Sequence, residues 1–252
     1  MDSLSLEQLK KIPWNGTVNN IRYDPPVEEI PEYLNIPFEK RKEYPLFYSW
    51  LEITRSVPKA SLEVLDVSCG AGQISQVLAF RGHRVSACDK HDYFRADRSA
   101  IDFKCPVNAN DPFPYPDQSF DTIICCEAFQ YYDSMKHFIT ESYRMLKKEG
   151  TLIVSIPNIH SIAGKLCFLI KNELQSYHGQ GERFGAQVLY LQSVIQRLEQ
   201  CHFRINEIKG NIPLKNAKLT FVDLLIRSFS KYTPLNNTLK WAHSLIIVAV
   251  KS

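Results

Sequence analysis

The chain has 252 residues, of which 44% are hydrophobic and 23% charged, and its formal net charge at pH 7 is +3. This length and apolar content are enough for one large core, and a single α/β domain with an appended lid is the natural packing. So weak a net charge does not build the basic field with which nucleic-acid-binding proteins collect phosphates, so a nucleic-acid partner is disfavoured.

Residues 1–60 are predicted to form a helical, proline-rich N-terminal arm. Apolar patterns predict helices over Leu4–Lys11 and about Leu46–Val57, and five prolines from Pro25 to Pro45 interrupt the segment between them. Because proline fixes φ and lacks a backbone donor, this density breaks regular structure. Residues 61–252 are predicted to form one domain that carries a helical insertion over 159–190.

A strand, a glycine turn and a helix follow the arm. The apolar run Leu62–Val67 predicts a buried strand, Gly70 and Gly72 lie in the turn, and apolar residues then recur at helical spacing up to Phe80. Gly82 is predicted to end this helix. A glycine turn of this kind lets backbone N–H groups approach a ligand closely.

A second strand is predicted at His83–Cys88, and Asp89 follows it, 17 residues after Gly72. An acid about 20 residues beyond such a turn accepts hydrogen bonds from ribose hydroxyls. The dinucleotide pattern has a third glycine, which this turn lacks. Asp66 also lies inside the turn, where its charge repels a pyrophosphate and attracts a cation. A nicotinamide-dependent oxidoreductase is therefore the less favoured alternative.

Later segments alternate between strand and helix. Ser134–Lys148 has one apolar face, Gly150 ends it, and an apolar run to Asn158 follows. The last strands are predicted at Phe203–Ile208 and Ser244–Lys251. Such alternation gives a parallel sheet, whose ligands bind beyond the carboxyl ends of the strands. Polar residues predicted at those ends are Asp66 to Gly72, Asp89, Asn108, Glu127 and Asn158.

The cysteines and the apolar runs indicate the compartment. None of the seven cysteines forms a Cys-x-x-Cys pair, and Cys88, Cys125 and Cys126 lie in apolar runs, so buried thiols are expected rather than disulfides or metal ligands. No leader-like segment is visible, and the longest apolar runs are too short to cross a bilayer. We expect a soluble, cytoplasmic protein with no metal ion.

Three segments resemble the class I S-adenosylmethionine-dependent methyltransferases. They are the glycine turn Val64–Gly72, the proline-rich loop and strand Pro112–Glu127, and the helix end, turn and strand Met145–Asn158. The resemblance spans about residues 62–158. It implies a Rossmann-like, doubly wound α/β fold: a mostly parallel seven-stranded sheet with an antiparallel last strand. It also implies S-adenosylmethionine as cofactor, whose sulfonium and ammonium suit the acidic turn.

The resemblance implies the cofactor-binding residues. The methionine part would be held near the glycine turn, the ribose by Asp89, and the adenine by Asn108 with Ala109; Lys90 and Glu127 are further cofactor-binding candidates. In the turn the residues are Asp66, Ser68, Cys69, Gly70 and Gly72. The family has glycine where Ser68 stands, which is tolerable if Ser68 keeps ordinary dihedral angles. Asn108 replaces a frequent aspartate, and its amide oxygen still accepts from an amino group.

Oxygen and amine acceptors of a methyl group need a base, so the candidate catalytic residues are side chains that can take up a proton. The candidate catalytic residues are His160 after the fifth strand, His178 in the insertion, and Glu127 and Tyr131 after the fourth strand. We expect methyl transfer to a hydroxyl or amine of a small-molecule or saccharide-like acceptor. A catalytically inactive, cofactor-binding or regulatory protein is the competing hypothesis.

Overall fold

The computed structural model describes residues 45–161, 164–165, 168–169, 186–211, 239 and 242–252. Its helices and strands alternate along the chain. In order they are α1 Pro45–Ser56, β1 Glu63–Val67, α2 Gln73–Phe80, β2 Arg84–Cys88, β3 Ile101–Lys104, β4 Phe120–Cys125, a short 3-10 helix Phe129–Tyr131, α3 Met135–Met145, β5 Leu146–Pro157, α4 Leu191–Gln200, β6 Phe203–Gly210 and β7 Ser244–Lys251.

The strands form one seven-stranded sheet in the order β3-β2-β1-β4-β5-β7-β6. Strands β1 to β5 pair in parallel, whereas β7 runs antiparallel to β5 and β6. The strand order reverses between β1 and β4, which is where ligands bind in open α/β sheets. The predicted fold, a mostly parallel sheet with an antiparallel last strand, is confirmed.

Helices cover both faces of the sheet, because neighbouring strand residues point to opposite sides. Ile123 and Leu152 pack towards α3 and α4, whereas the next residues, Ile124 and Ile153, pack towards α1 and α2. All four of these side chains are fully buried. The continuous apolar strands predicted from the sequence are therefore the two-sided centre of the core.

Helix α3 ends earlier than predicted. The sequence pattern extends it to Lys148, but the helix stops at Met145 and Leu146 is extended, with ψ 139°. Groups distant in sequence donate hydrogen bonds to the carbonyls at this end of the helix. The Ser119 N–H donates to the Met145 carbonyl at 2.8 Å. Lys251 Nζ donates to the Tyr143 and Leu146 carbonyls at 2.6 and 2.7 Å. Those tertiary partners satisfy the helix end.

Two parts of the predicted organisation lie outside the described residues. They are the arm before position 45, including the helix at Leu4–Lys11, and most of the insertion over 159–190. The predicted helix at Leu46–Val57 corresponds to α1. Within the described part of the chain, no helix has the length and apolar character needed to span a bilayer.

Candidate active site

The turn after β1 has a tightly wound backbone. Ser68, Gly70 and Gly72 have φ of 55°, 55° and 79°, all in the left-handed region. At Gly72 the space is also closed, because an added Cβ would lie 2.5 Å from the Phe94 ring and 2.8 Å from Ala96. Only glycine satisfies both conditions, so Gly72 fixes the packing behind the turn.

Two carboxylates flank this turn. Asp66 is 1% exposed and accepts a 2.6 Å hydrogen bond from Ser75 Oγ. Burial raises the pKa of Asp66 to about 7 despite that bond. Asp89 accepts from the N–H groups of Gly70 and His91 at 2.9 and 3.0 Å, and burial raises its pKa as well. Asp89 thereby ties the end of β2 to the glycine turn.

A cavity of about 470 Å³ opens at this edge of the sheet and extends from Asp89 to the end of β4. It brings together most of the residues predicted from the sequence. Those lining it are Asp66, Ser68, Cys69, Gly70, Asp89, Lys90, Asn108, Ala109, Glu127 and Tyr131.

Among the described residues, two that were predicted do not line the cavity. Gly72 lies behind the wall, where it packs against Phe94. His160 is exposed, and its ring centroid lies 5.9 Å from that of Tyr190. The structure therefore does not bring His160 to the cavity with the other candidates. His178 lies outside the described residues.

Glu127 is held at the cavity by serines from three elements. Its backbone is left-handed, with φ 52°, and its N–H donates to Ser155 Oγ of β5 at 2.8 Å. Its carboxylate accepts from Ser49 Oγ of α1 at 3.1 Å, and the nearby Ser244 hydroxyl of β7 acts to lower its pKa. Burial nevertheless raises the pKa of Glu127. A carboxylate fixed in this way is poised to take up a proton.

A buried amide connects two of these serines. Asn211 Nδ2 donates to Ser49 Oγ at 2.7 Å, and Asn211 Oδ1 accepts from the Ser244 N–H at 2.6 Å. Next to it, His243 lines the cavity, and burial lowers its pKa to about 4, so that its imidazole is neutral. This network fixes the wall around Glu127.

The residues of this wall were not predicted from the sequence, although the sequence has one pattern that indicates them. Because β7 is antiparallel, its first residues lie at the edge where the parallel strands end, and Ser244 pairs with Pro157 at the end of β5. The polar pair His243 and Ser244 at the start of the apolar last strand is therefore a sequence signal that indicates site residues. Those missed are Ser49, Trp50, Asn211, His243 and Ser244.

The backbone conformation of Ser68 differs from the one expected from the sequence. Instead of ordinary dihedral angles it has the left-handed φ of 55°, which costs a residue with a Cβ about 1–2 kcal/mol. Its hydroxyl forms a 2.8 Å hydrogen bond with the Tyr132 hydroxyl. That contact favours this conformation.

The charged residues of the lining are mainly acidic. They are Asp66, Asp89 and Glu127, with Lys90, His91 and a neutral His243 beside them. The cavity therefore favours cations and neutral groups over anions. Within the described ranges, no group of three His, Cys, Asp or Glu side chains is placed to hold a metal ion.

The fold is a Rossmann-like domain, and its cavity with a mainly acidic lining lies beyond the carboxyl ends of the parallel strands. Residues 65–154 match the family described as methyltransferase domain. The match runs from β1 into β5, and over this stretch the chain is similar to S-adenosylmethionine-dependent methyltransferases.

The chain is also similar to a curated relative. Over 164 residues the chain is 25% identical to the ubiquinone biosynthesis O-methyltransferase of Rickettsia akari, and the alignment covers 62% of this chain and 65% of that relative. The chain thus spans 65% of the length of this relative.

Two solved structures share the fold. A methyltransferase from Archaeoglobus fulgidus superposes with a TM-score of 0.58 at 18% identity, covering 85% of this chain and 98% of its own. One from Mesorhizobium loti superposes with a TM-score of 0.56 at 15% identity, covering 81% and 98%.

Proposed function

We propose that this protein is an enzyme that transfers the methyl group of S-adenosylmethionine to a hydroxyl or amine of a small-molecule or saccharide-like acceptor. One observation carries the proposal. A single cavity is lined at one end by the acidic glycine turn and at the other by the serine-held Glu127. A methyl donor and its acceptor must share one enclosed space, so that the reacting atoms meet in line.

The cofactor half of the cavity has groups that suit S-adenosylmethionine. In our proposal Asp66, Ser68, Cys69 and Gly70 hold the methionine part, whose ammonium pairs with the Asp66 carboxylate. Asp89, with Lys90, takes the ribose. Asn108 and Ala109 line the adenine pocket; the Asn108 amide oxygen already accepts from the Asn110 N–H at 3.2 Å and has a second lone pair for the adenine amino group. Gly72 acts indirectly, by shaping the turn.

Glu127 and Tyr131 line the acceptor half. When bound, the cofactor supplies an activated methyl group on a good leaving group, so the protein chiefly orients the acceptor and excludes water. Glu127 accepts the proton that the acceptor hydroxyl or amine loses. Its raised pKa favours that transfer, because a base is most effective when its pKa lies near the working pH.

We infer the kind of acceptor from the charge of the cavity lining and from the name of the Rickettsia akari relative. The acidic lining disfavours phosphorylated or carboxylated acceptors. The Rickettsia akari relative is named an O-methyltransferase, which favours an oxygen acceptor here. A catalytically inactive, cofactor-binding or regulatory protein is the second candidate, and Ser68 at the family's glycine position favours it.

Binding and transfer are tested in turn. Calorimetry is expected to detect S-adenosylmethionine and S-adenosylhomocysteine and to find negligible binding of NAD. Labelled cofactor is then offered with neutral or cationic probes: catechol, methyl glucoside and phenethylamine. We expect transfer to at least one. Cofactor binding without transfer to any probe or to a fractionated cell extract would favour the inactive candidate.

Glu127→Gln isolates the acceptor half. It removes the base but keeps a similar shape, so we expect turnover to fall at least about 100-fold while cofactor affinity changes less than about threefold. Glu199→Gln, on the exposed side of α4, is the matched control and should leave both unchanged. Equal losses of affinity and turnover in Glu127→Gln would move Glu127 to the cofactor half.

A further inference from the structure

Two hydroxyl groups meet in the wall of the cavity, where the turn after β1 contacts the segment after β4. Ser68 Oγ lies 2.8 Å from Tyr132 Oη, and both residues line the cavity. The first element belongs to the cofactor half and the second to the acceptor half. The methyl group must pass between these halves.

The Tyr132 side chain is fixed in place. It is 5% exposed, and its ring centroid lies 5.1 Å from that of Phe138 and 6.1 Å from that of Phe129. Gln187 Nε2 donates to its backbone carbonyl at 3.1 Å. The Tyr132 hydroxyl therefore cannot follow a displaced partner, and its position is set before any ligand binds.

A buried thiol extends the pair to a row of three groups. Tyr132 Oη lies 3.2 Å from Cys125 Sγ. Burial raises the pKa of Tyr132, and it raises the pKa of Cys125 to about 12, so both groups keep their hydrogen at neutral pH. The row then has three hydrogens and two hydrogen bonds.

The row has two hydrogen-bond directions. If Ser68 donates to Tyr132 and Tyr132 donates to Cys125, Ser68 presents oxygen lone pairs to the cavity. If the direction reverses, Ser68 presents its O–H hydrogen. A positive charge beside Ser68 selects the first direction, because lone pairs face it at no cost in hydrogen bonds.

We propose that the Ser68–Tyr132 pair is a positioning site for the sulfonium centre of the cofactor and that it favours S-adenosylmethionine over S-adenosylhomocysteine. The inference rests on the proposed function. The oxygen lone pairs attract the positive sulfur and its methyl group, whereas the neutral sulfur of the product gains much less from them. The pair would thus also promote product release.

The test measures the dissociation constants of both ligands by calorimetry with the full chain. Ser68→Gly and Tyr132→Phe each remove one hydroxyl. We expect each variant to lower the preference for S-adenosylmethionine over S-adenosylhomocysteine by about three- to tenfold, mainly by weakening the binding of S-adenosylmethionine. Because either change breaks the same row, the double variant should resemble the single ones. Tyr143→Phe is the matched control, since its hydroxyl donates to Ser252 away from the cavity.

A merely structural role predicts a different pattern. Both ligands would then bind more weakly by the same factor, or neither variant would change the ratio of the two dissociation constants. Each of these results would overturn the proposal. Ser68→Gly relieves the left-handed φ, so a loss of folding cannot mimic the expected ratio. Failure of the unaltered chain to bind either ligand would instead count against the cofactor assignment and so against the proposed function.

Discussion

Ser49 and Glu127 are 78 positions apart in sequence, yet the serine hydroxyl donates to the glutamate carboxylate at 3.1 Å. The same hydroxyl accepts from Asn211 Nδ2 at 2.7 Å. Helix α1 is therefore connected both to Glu127 at the cavity and, through Asn211, to the start of β7.

Ser49→Ala should alter both stability and the pH dependence of turnover. It removes a donor to Glu127 and leaves the buried Asn211 amide without that partner, so we expect a loss of about 1–3 kcal/mol in unfolding free energy. The ionised form of Glu127 loses support, which raises its pKa and moves the acidic limb of kcat/KM to higher pH. Ser56→Ala, on the same helix, is the control. An identical pH profile in the two variants would contradict the assignment of Glu127 as base.

Cofactor affinity should depend on pH through Asp66. In the free protein its pKa is about 7, and a bound ammonium favours the ionised form, so binding releases a proton. Affinity should therefore rise from pH 5.5 to 7.5, by at most about tenfold per pH unit below pH 7. Titration calorimetry in buffers of different ionisation enthalpy measures the released proton. Asp66→Asn should flatten the profile; a slope that persists in this variant would assign the proton to another group.

Asp89→Ala should weaken cofactor binding. Loss of a charge-assisted hydrogen bond to the ribose costs roughly 1.5–3 kcal/mol, or about 10- to 150-fold in affinity. Asp89→Asn retains an acceptor oxygen for the Gly70 N–H and separates the ribose contact from the shape of the turn. Calorimetry and thermal unfolding are measured on both variants. An unchanged dissociation constant in folded Asp89→Ala would place the ribose elsewhere.

Gly72→Ala and Gly82→Ala form a matched pair. Both glycines have left-handed φ, 79° and 86°, but an added Cβ meets Phe94 at Gly72 and nothing within 4 Å at Gly82. We expect Gly82→Ala to cost about 1–2 kcal/mol and Gly72→Ala about 2–5 kcal/mol. Denaturant unfolding compares them. Equal losses would mean that Phe94 moves aside without cost.

The sequence by itself determined the order of the elements and the grouping of the residues that we propose for the cofactor. Strands such as Ser244–Lys251 and helices such as α1 are specified by local apolar patterns, which act over a few residues. Asp66, Gly70 and Asp89 belong to one short strand-turn-helix-strand unit, so their proximity follows from local geometry.

Only the tertiary structure decided which residues surround Glu127, where we propose that the acceptor binds. Ser49, Asn211 and Ser244 come from three distant segments and form one hydrogen-bonded network, which reaches Glu127 through Ser49, because α1 packs on the sheet and β7 enters it antiparallel. The end of α3 at Met145 was decided in the same way, by Ser119 and Lys251. Local patterns carry no information about such contacts, since they form between segments whose spacing in the chain is unrelated to their distance in the fold.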